Sequence, residues 1–122
     1  MKILNKNDLN DLPVHDSDFW SAKLIQHQNG ETDLIIDIGF YEDEYMELDE
    51  ALLEFINSNG KASFLLKNCI LIDMTMHCIE VQRDVFDFIQ IEDLQNGKKR
   101  IGISFNSGSK IECTADLIAL VK

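Results

Sequence analysis

Along this chain apolar and polar residues alternate over most of the length, and one segment departs from that period. Leu34, Ile36, Ile38 and Phe40 alternate with polar positions, leaving Asp33 and Asp37 on the opposite parity, the two-residue period of a half-buried strand. Phe19 to Gln26 reads as a preceding strand. Asn29-Gly30, two residues tolerant of positive φ, joins the pair into a hairpin with Thr32 to Phe40. In the next segment Tyr41, Tyr45, Leu48, Leu52, Phe55 and Ile56 recur at spacings of four, three, four, three and one, an amphipathic helical stripe. Asn57-Ser58-Asn59-Gly60 stops it. Strand periodicity then returns. Phe64, Leu66, Asn68, Ile70, Ile72, Met74 and Met76 share one parity, with Leu65, Cys69 and Leu71 on the other. That pattern predicts a central strand covered on both faces, broken or bulged near Asn68 because one strand of this length would be unusual. Val85 to Leu94 follows as a strand, and Asn96-Gly97 turns into Ile101, Ile103 and Phe105. Asn106-Ser107-Gly108-Ser109 turns into Ile111 and Cys113, and Leu117 to Val121 closes the series.

Seven or eight strands with one inserted amphipathic helix predict an α+β, mainly β fold: a curved antiparallel sheet, or a partly open barrel or sandwich. No βαβ alternation supports a doubly wound parallel sheet. At 122 residues the expectation is a single domain, 1–122, with Met1 to Asp11, polar and Asn-rich, as a loosely ordered entry segment. A hydrophobic fraction of 45% is too high for an acidic disordered tail. A chain of this size buries roughly two-thirds of its unfolded surface, enough for a core without metals or disulfides.

Charge changes the picture. From Leu24 to Gly60 there is no Lys or Arg, against Glu31, Asp33, Asp37, Glu42, Asp43, Glu44, Glu47, Asp49, Glu50 and Glu54. These ten carboxylates account for nearly all of the formal net charge of -11. On a helix, Asp43, Glu47, Glu50 and Glu54 would form a continuous acidic ridge. The helix dipole favours the first of them by roughly 0.3–1 kcal/mol each. Glu50 and Glu54 receive no such help, and like charges at these spacings cost roughly 0.2–0.5 kcal/mol per pair. Two explanations stay open: a solvated face kept for solubility, or a surface with a cationic protein counterpart. On the second, Asp43, Glu44, Glu47, Glu50 and Glu54 carry the contact and Asp33 and Asp37 extend it. Tyr41 and Tyr45 serve as anchors, unless they merely begin the helix's core stripe. Trp20 is a further anchor candidate. The scarcity of Lys and Arg argues against nucleic acid and anionic membranes as partners.

Catalytic and metal signatures are weak throughout. His15-Asp16 occurs in metal-dependent phosphohydrolases, but only His27 and His77 remain as further histidines, and Asp16 or Ser17 suits a turn or cap. His77 and Cys78 are adjacent and would point to opposite faces of a strand. There is no GxSxG elbow and no DxDxDG calcium loop. Asn106 to Ser109 links two strands, so no helix dipole follows it to hold a phosphate. Cys69, Cys78 and Cys113 form no CxxC pair, and an odd count argues against a disulfide framework. The expectation is a non-enzyme without metal or cofactor. Met1 to Leu12 lacks an apolar signal region and no run is long enough to span a bilayer, so the reading is cytoplasmic.

The run Leu12-Pro13-Val14-His15-Asp16-Ser17-Asp18 resembles the "LHDS" opening of a broad group of small bacterial β-rich proteins, with Pro13-Val14 interrupting the usual Leu-His-Asp. The order of parts is also similar: a hairpin ending near Phe40, a strand around Phe64 to Asn68, and a C-terminal hairpin of Ile101–Phe105, Gly108 and Ile111–Cys113. Some members of that group are assigned as immunity proteins of polymorphic or contact-dependent toxin systems. The resemblance implies a small cytoplasmic protein that neutralises one cognate basic, nuclease-like toxin by binding it. The alternative is a small β-barrel domain binding a ligand or ion, for which a pocket lined by His15, Asp16 and Cys69 would be the sign.

Overall fold

The computed structural model describes residues 1–77 and 83–122. Cys78 therefore lies outside the described residues. Among the described residues nine strands form two antiparallel sheets that do not close into a barrel. The five-stranded sheet has the order β1 (Lys2–Ile3), β9 (Leu117–Val121), β4 (Lys61–Lys67), β3 (Thr32–Gly39), β2 (Asp18–Gln26). The four-stranded sheet has the order β5 (Ile70–Thr75), β8 (Lys110–Ala115), β7 (Lys99–Phe105), β6 (Phe86–Asp93). The mainly β antiparallel fold read from the sequence is the one observed, and each anticipated turn joins the anticipated strands. Gly30 and Gly97 take φ of +88° and +82° in two of them, as tight hairpin turns require.

Leu34, Ile36, Ile38, Phe64, Leu66, Ile118 and Leu120 of the larger sheet are fully buried against Phe86, Ile101, Ile103, Ile111 and Cys113 of the smaller. At one end Phe19, Phe86 and Phe105 pack ring to ring, with centroids 5.0–5.8 Å apart. There the residues just before β2 join the smaller sheet: the Phe86 N–H donates to Ser17 O at 2.9 Å, and the Asp16 N–H donates to Phe86 O at 2.8 Å.

Between β4 and β5 the chain passes from one sheet to the other. Asn68 holds φ +51° at the crossing, in the left-handed region that Asn tolerates better than most side chains. Even-numbered Ala62, Phe64 and Leu66 face the core before it; Ile70, Ile72 and Met74 face solvent after it. The break expected near Asn68 is thus a crossing that also reverses the parity. β5 becomes an edge strand, and the expectation that both its faces are covered is corrected.

Two other segments differ from the sequence reading. The first eleven residues are ordered: Lys2 and Ile3 pair with β9, and α1 (Lys6–Asp11) follows. Asn5 and Asp8 cap that helix reciprocally, Asn5 Oδ1 accepting from the Asp8 N–H at 2.9 Å and Asp8 Oδ2 from the Asn5 N–H at 3.0 Å. Leu4, Leu9 and Leu12 anchor it in the core. The acidic segment is two single turns, α2 (Glu42–Tyr45) and α3 (Glu50–Leu53), in place of one helix. Asp49 separates them with extended backbone (ψ 141°), its carboxylate accepting from the Ala51 N–H at 3.3 Å. The apolar stripe survives, with Tyr45, Leu52 and Ile56 buried, while the carboxylates avoid a continuous like-charged ridge. The break also places Glu50 in a first turn, where the sequence reading found no local support for it.

Candidate protein-binding surface

Glu42, Asp43, Glu44, Glu47, Asp49, Glu50 and Glu54 are all exposed. Among the described residues none of the seven has a Lys, Arg or His nitrogen within 4.0 Å; the ion pairs lie elsewhere, on Asp16, Asp18, Asp33, Asp73, Asp87, Asp93, Glu112 and Asp116. The segment is thus a run of carboxylates that the fold itself leaves uncompensated.

Of the aromatic anchors expected there, only one reaches the surface. Tyr41 is 46% exposed, whereas Tyr45 is 4% exposed and donates its hydroxyl to Ser58 O at 3.1 Å, tying the segment to the turn before β4. The neighbouring Met46 is the more exposed apolar side chain, at 58%. Asp33 and Asp37 do not extend the acidic surface. Both sit on the outer face of the five-stranded sheet among their own donors. Burial raises the Asp33 pKa, but the Asn68 N–H, His27 and Lys67 outweigh it and hold the carboxyl below its ordinary value. The distances are 2.9, 2.7 and 3.2 Å. Asp37 accepts from Ser21 Oγ at 2.6 Å and Ser63 Oγ at 2.5 Å. Burial again opposes, and those hydroxyls with Lys23 and Lys61 draw its pKa down.

Next to the acidic segment, the start of β2 carries a cluster that the sequence did not announce. Tyr41 Oη donates to Asp18 Oδ1 at 3.4 Å, and Arg83 Nη1 approaches Asp18 Oδ2 at 3.8 Å. The Arg83 guanidinium lies 3.2 Å from the centroid of the Trp20 ring, with Lys61 Nζ at 4.1 Å. Trp20 is the extra residue of a bulge, since Phe19 pairs with Ile38 and Ser21 with Asp37. Its indole lies over Gly39, where a Cβ would come within 2.5 Å of Nε1. The Asp18 charge raises the Tyr41 pKa most, followed by partial burial, the hydrogen bond to Asp18, and the charges of Asp16 and Glu44. Trp20 was legible as an anchor candidate. Arg83, remote in sequence and in no motif, was not.

Beside Trp20 lies an open groove of about 400 Å³, lined among others by Ser21, Asp37, Asn57, Lys61, Ser63 and Lys122. His15, Asp16 and Cys69 do not line one pocket. His15 contacts Asp87 and Asp16 at the Phe86 end of β6, while Cys69 is buried at the β4–β5 crossing. The hydrogen bond with Cys113 draws the Cys69 thiol pKa down against burial and the Asp33 charge, while the same contact and burial push the Cys113 thiol up. Among the described residues no three His, Cys, Asp or Glu side chains are arranged to hold a metal ion, and no helix is long and apolar enough to cross a membrane.

No family model, curated protein or solved structure matches this chain.

Proposed function

We propose that this chain is an acidic protein-binding protein of the immunity type, acting in the cytoplasm on a cognate basic, nuclease-like toxin. One observation carries the reading: seven exposed carboxylates between Glu42 and Glu54 have no cationic partner within the described residues. Uncompensated like charge destabilises the isolated fold and is recovered when a cationic surface docks on it. A nuclease active site offers such a surface, because its substrate is a polyanion. Exposed Tyr41 and Met46 in the same run, and Trp20 over Gly39 just before it, supply apolar contact. Asp43, Glu44, Glu47, Glu50 and Glu54 keep the roles assigned from sequence. Tyr41 keeps its anchor role, Tyr45 serves the core, and Asp33 and Asp37 serve the sheet.

The test is affinity capture from the source organism's lysate at low and then moderate salt, with the wild-type chain and an E47K/E50K/E54K variant as parallel baits. The expected result is one basic protein held by the wild type, released by salt and absent from the variant. Equal capture of that protein by both baits would remove the acidic segment from the interface.

A further inference from the structure

Two thiols meet where the chain changes sheets. Cys69 follows Asn68 at the crossing, and Cys113 lies in β8 of the smaller sheet. In the β5–β8 pair Leu71 stands opposite Cys113 and Ile70 opposite Thr114. Cys69 precedes Leu71 by two residues, so its side chain leaves the chain on the same, inward face. Both cysteines belong to the hydrophobic core and both are free, Cys113 being 0% and Cys69 6% exposed. A hydrogen bond joins the two thiols.

A buried cysteine standing alone acts as a small apolar side chain. This pair differs in two respects. Sulfurs in contact supply both halves of a disulfide, with no third thiol needed. The two are also unequal. The Cys113 S–H donates to Cys69 and favours its thiolate, against burial and the Asp33 charge, whereas Cys113 is deeper and is pushed the other way by the same contact. An ionisable outer thiol backed by a protonated inner one is the arrangement of an attacking and a resolving cysteine.

We propose that Cys69 and Cys113 are a peroxide-reactive dithiol that closes a reversible disulfide across the sheet crossing, with Cys69 attacking and Cys113 resolving. The Cys69 thiolate bonds to one oxygen of hydrogen peroxide as the O–O bond breaks, and the departing hydroxide takes up a proton to become water. The Cys113 sulfur then attacks the Cys69 sulfenic acid, and its S–H proton leaves with the sulfenic hydroxyl as a second water. Two thiols lose two electrons and one peroxide gains them. The inference goes beyond the toxin-binding reading and stands without it.

Reversibility follows from the register. Cys113 faces Leu71, so Cys69 is its diagonal neighbour. On a regular ladder such positions lie roughly 7–8 Å apart at Cα, beyond the usual disulfide span of about 4.4–6.8 Å. The turn at Asn68 brings the sulfurs into contact, and the bond draws the crossing further toward β8. That movement works against the Cys69 N–H to Thr32 O bond of 2.6 Å and the Asn68 N–H to Asp33 bond of 2.9 Å. A disulfide closed against such restraints is easily reduced, the property of a switch and not of a permanent staple.

Peroxide treatment of the reduced full chain carrying Cys78→Ser, read by intact mass and peptide mapping, tests it. The expected product is lighter by two hydrogen atoms, with the peptides of Cys69 and Cys113 joined, and glutathione restores both thiols. With Cys113→Ser added, dimedone is expected to label Cys69 after peroxide; with Cys69→Ser added instead, Cys113 stays unlabelled. Cys113→Ala replaces the serine variant if the buried hydroxyl disturbs folding, judged by the thermal melt. Thiols that stay free in peroxide, or are oxidised without a link between them, overturn the proposal. A link that glutathione leaves intact is a structural disulfide and overturns the switch. Labelling of Cys113 but not Cys69 in the single-thiol chains overturns the assignment of the attacking sulfur.

Discussion

Asp33 Oδ1 accepts the backbone N–H of Asn68 at 2.9 Å, so a buried carboxylate in the first hairpin fixes the residue at which the chain changes sheets. Its other oxygen accepts from His27 at 2.7 Å and Lys67 at 3.2 Å. Replacing it by Ala strands the Asn68 N–H and removes charge-assisted bonds, for an expected loss of about 2–3 kcal/mol. Urea titration of Asp33→Ala checks the magnitude.

The same carboxylate sets a direction for acid unfolding. Its folded pKa is depressed, so below the ordinary carboxylate value of about 3.9 the unfolded chain binds the proton first. The stability it contributes is complete above that value and is lost as pH falls through the lower folded value. Asp37 is depressed in the same direction. Melting temperature measured from pH 7 to pH 2 should fall steeply at the acid end in the wild type. In Asp33→Asn, already weakened at neutral pH, the fall should be shallower.

How much of this was legible follows from which forces are local. Strand parity in Leu34–Phe40 and the Asn-Gly turns are written within a few residues, and the hairpins follow from them. The stop at Asn68 was legible too, but the reversal of parity across it was not, because it depends on Asp33 gripping Asn68 from another strand. The single helix over the acidic segment failed where two local preferences competed. Periodicity favoured continuation; Asp49 favoured a cap, with like charges opposing one long ridge. Met1 to Asp11 looked loose because composition hides the Asn5–Asp8 capping pair and the leucines that dock it. At the surface, the acidic run was plain from charge, whereas Tyr45's burial and Arg83's place over Trp20 arise only from tertiary packing.

Trp20 is the chain's single tryptophan, so its packing on Gly39 has a direct optical readout. A methyl group at Gly39 would meet the indole at 2.5 Å from Nε1. The ring is already 41% exposed and has solvent into which to swing, so the clash is relieved mainly by displacement. Gly39→Ala should red-shift the emission and weaken the stacking with Arg83 and Lys61. Stability should fall by about 1 kcal/mol, the scale of a cation–aromatic stack at a half-exposed site. An unshifted spectrum would place the indole away from Gly39.

The acidic segment should tolerate neutralisation of charge in the isolated protein. Glu47, Glu50 and Glu54 form no ion pair with the described residues of the fold, so Glu→Gln changes at the three remove repulsion and, of attraction, only the first-turn dipole support of Glu50. The triple variant is expected within about 0.5 kcal/mol of the wild type per site, on the stabilising side at low salt and indistinguishable at high salt. Thermal melts at two ionic strengths separate this from a structural role, which would lower stability at both.

The last prediction concerns the edge that the Asn68 crossing creates. Ile70, Ile72 and Met74 are 60%, 53% and 40% exposed on β5, the outermost strand of its sheet, which invites edge-to-edge pairing. Two features blunt that edge: a register shift between Leu71 and Asp73, and the Asp73–Lys110 ion pair at 3.1 Å. Ile72 falls within the shift and contributes little to the core. Ile72→Lys should therefore leave the denaturation midpoint within about 0.5 kcal/mol of the wild type while slowing aggregation at high protein concentration. Light scattering during prolonged incubation reads the second effect. A large stability loss would mean that Ile72 is packed against the protein's own surface.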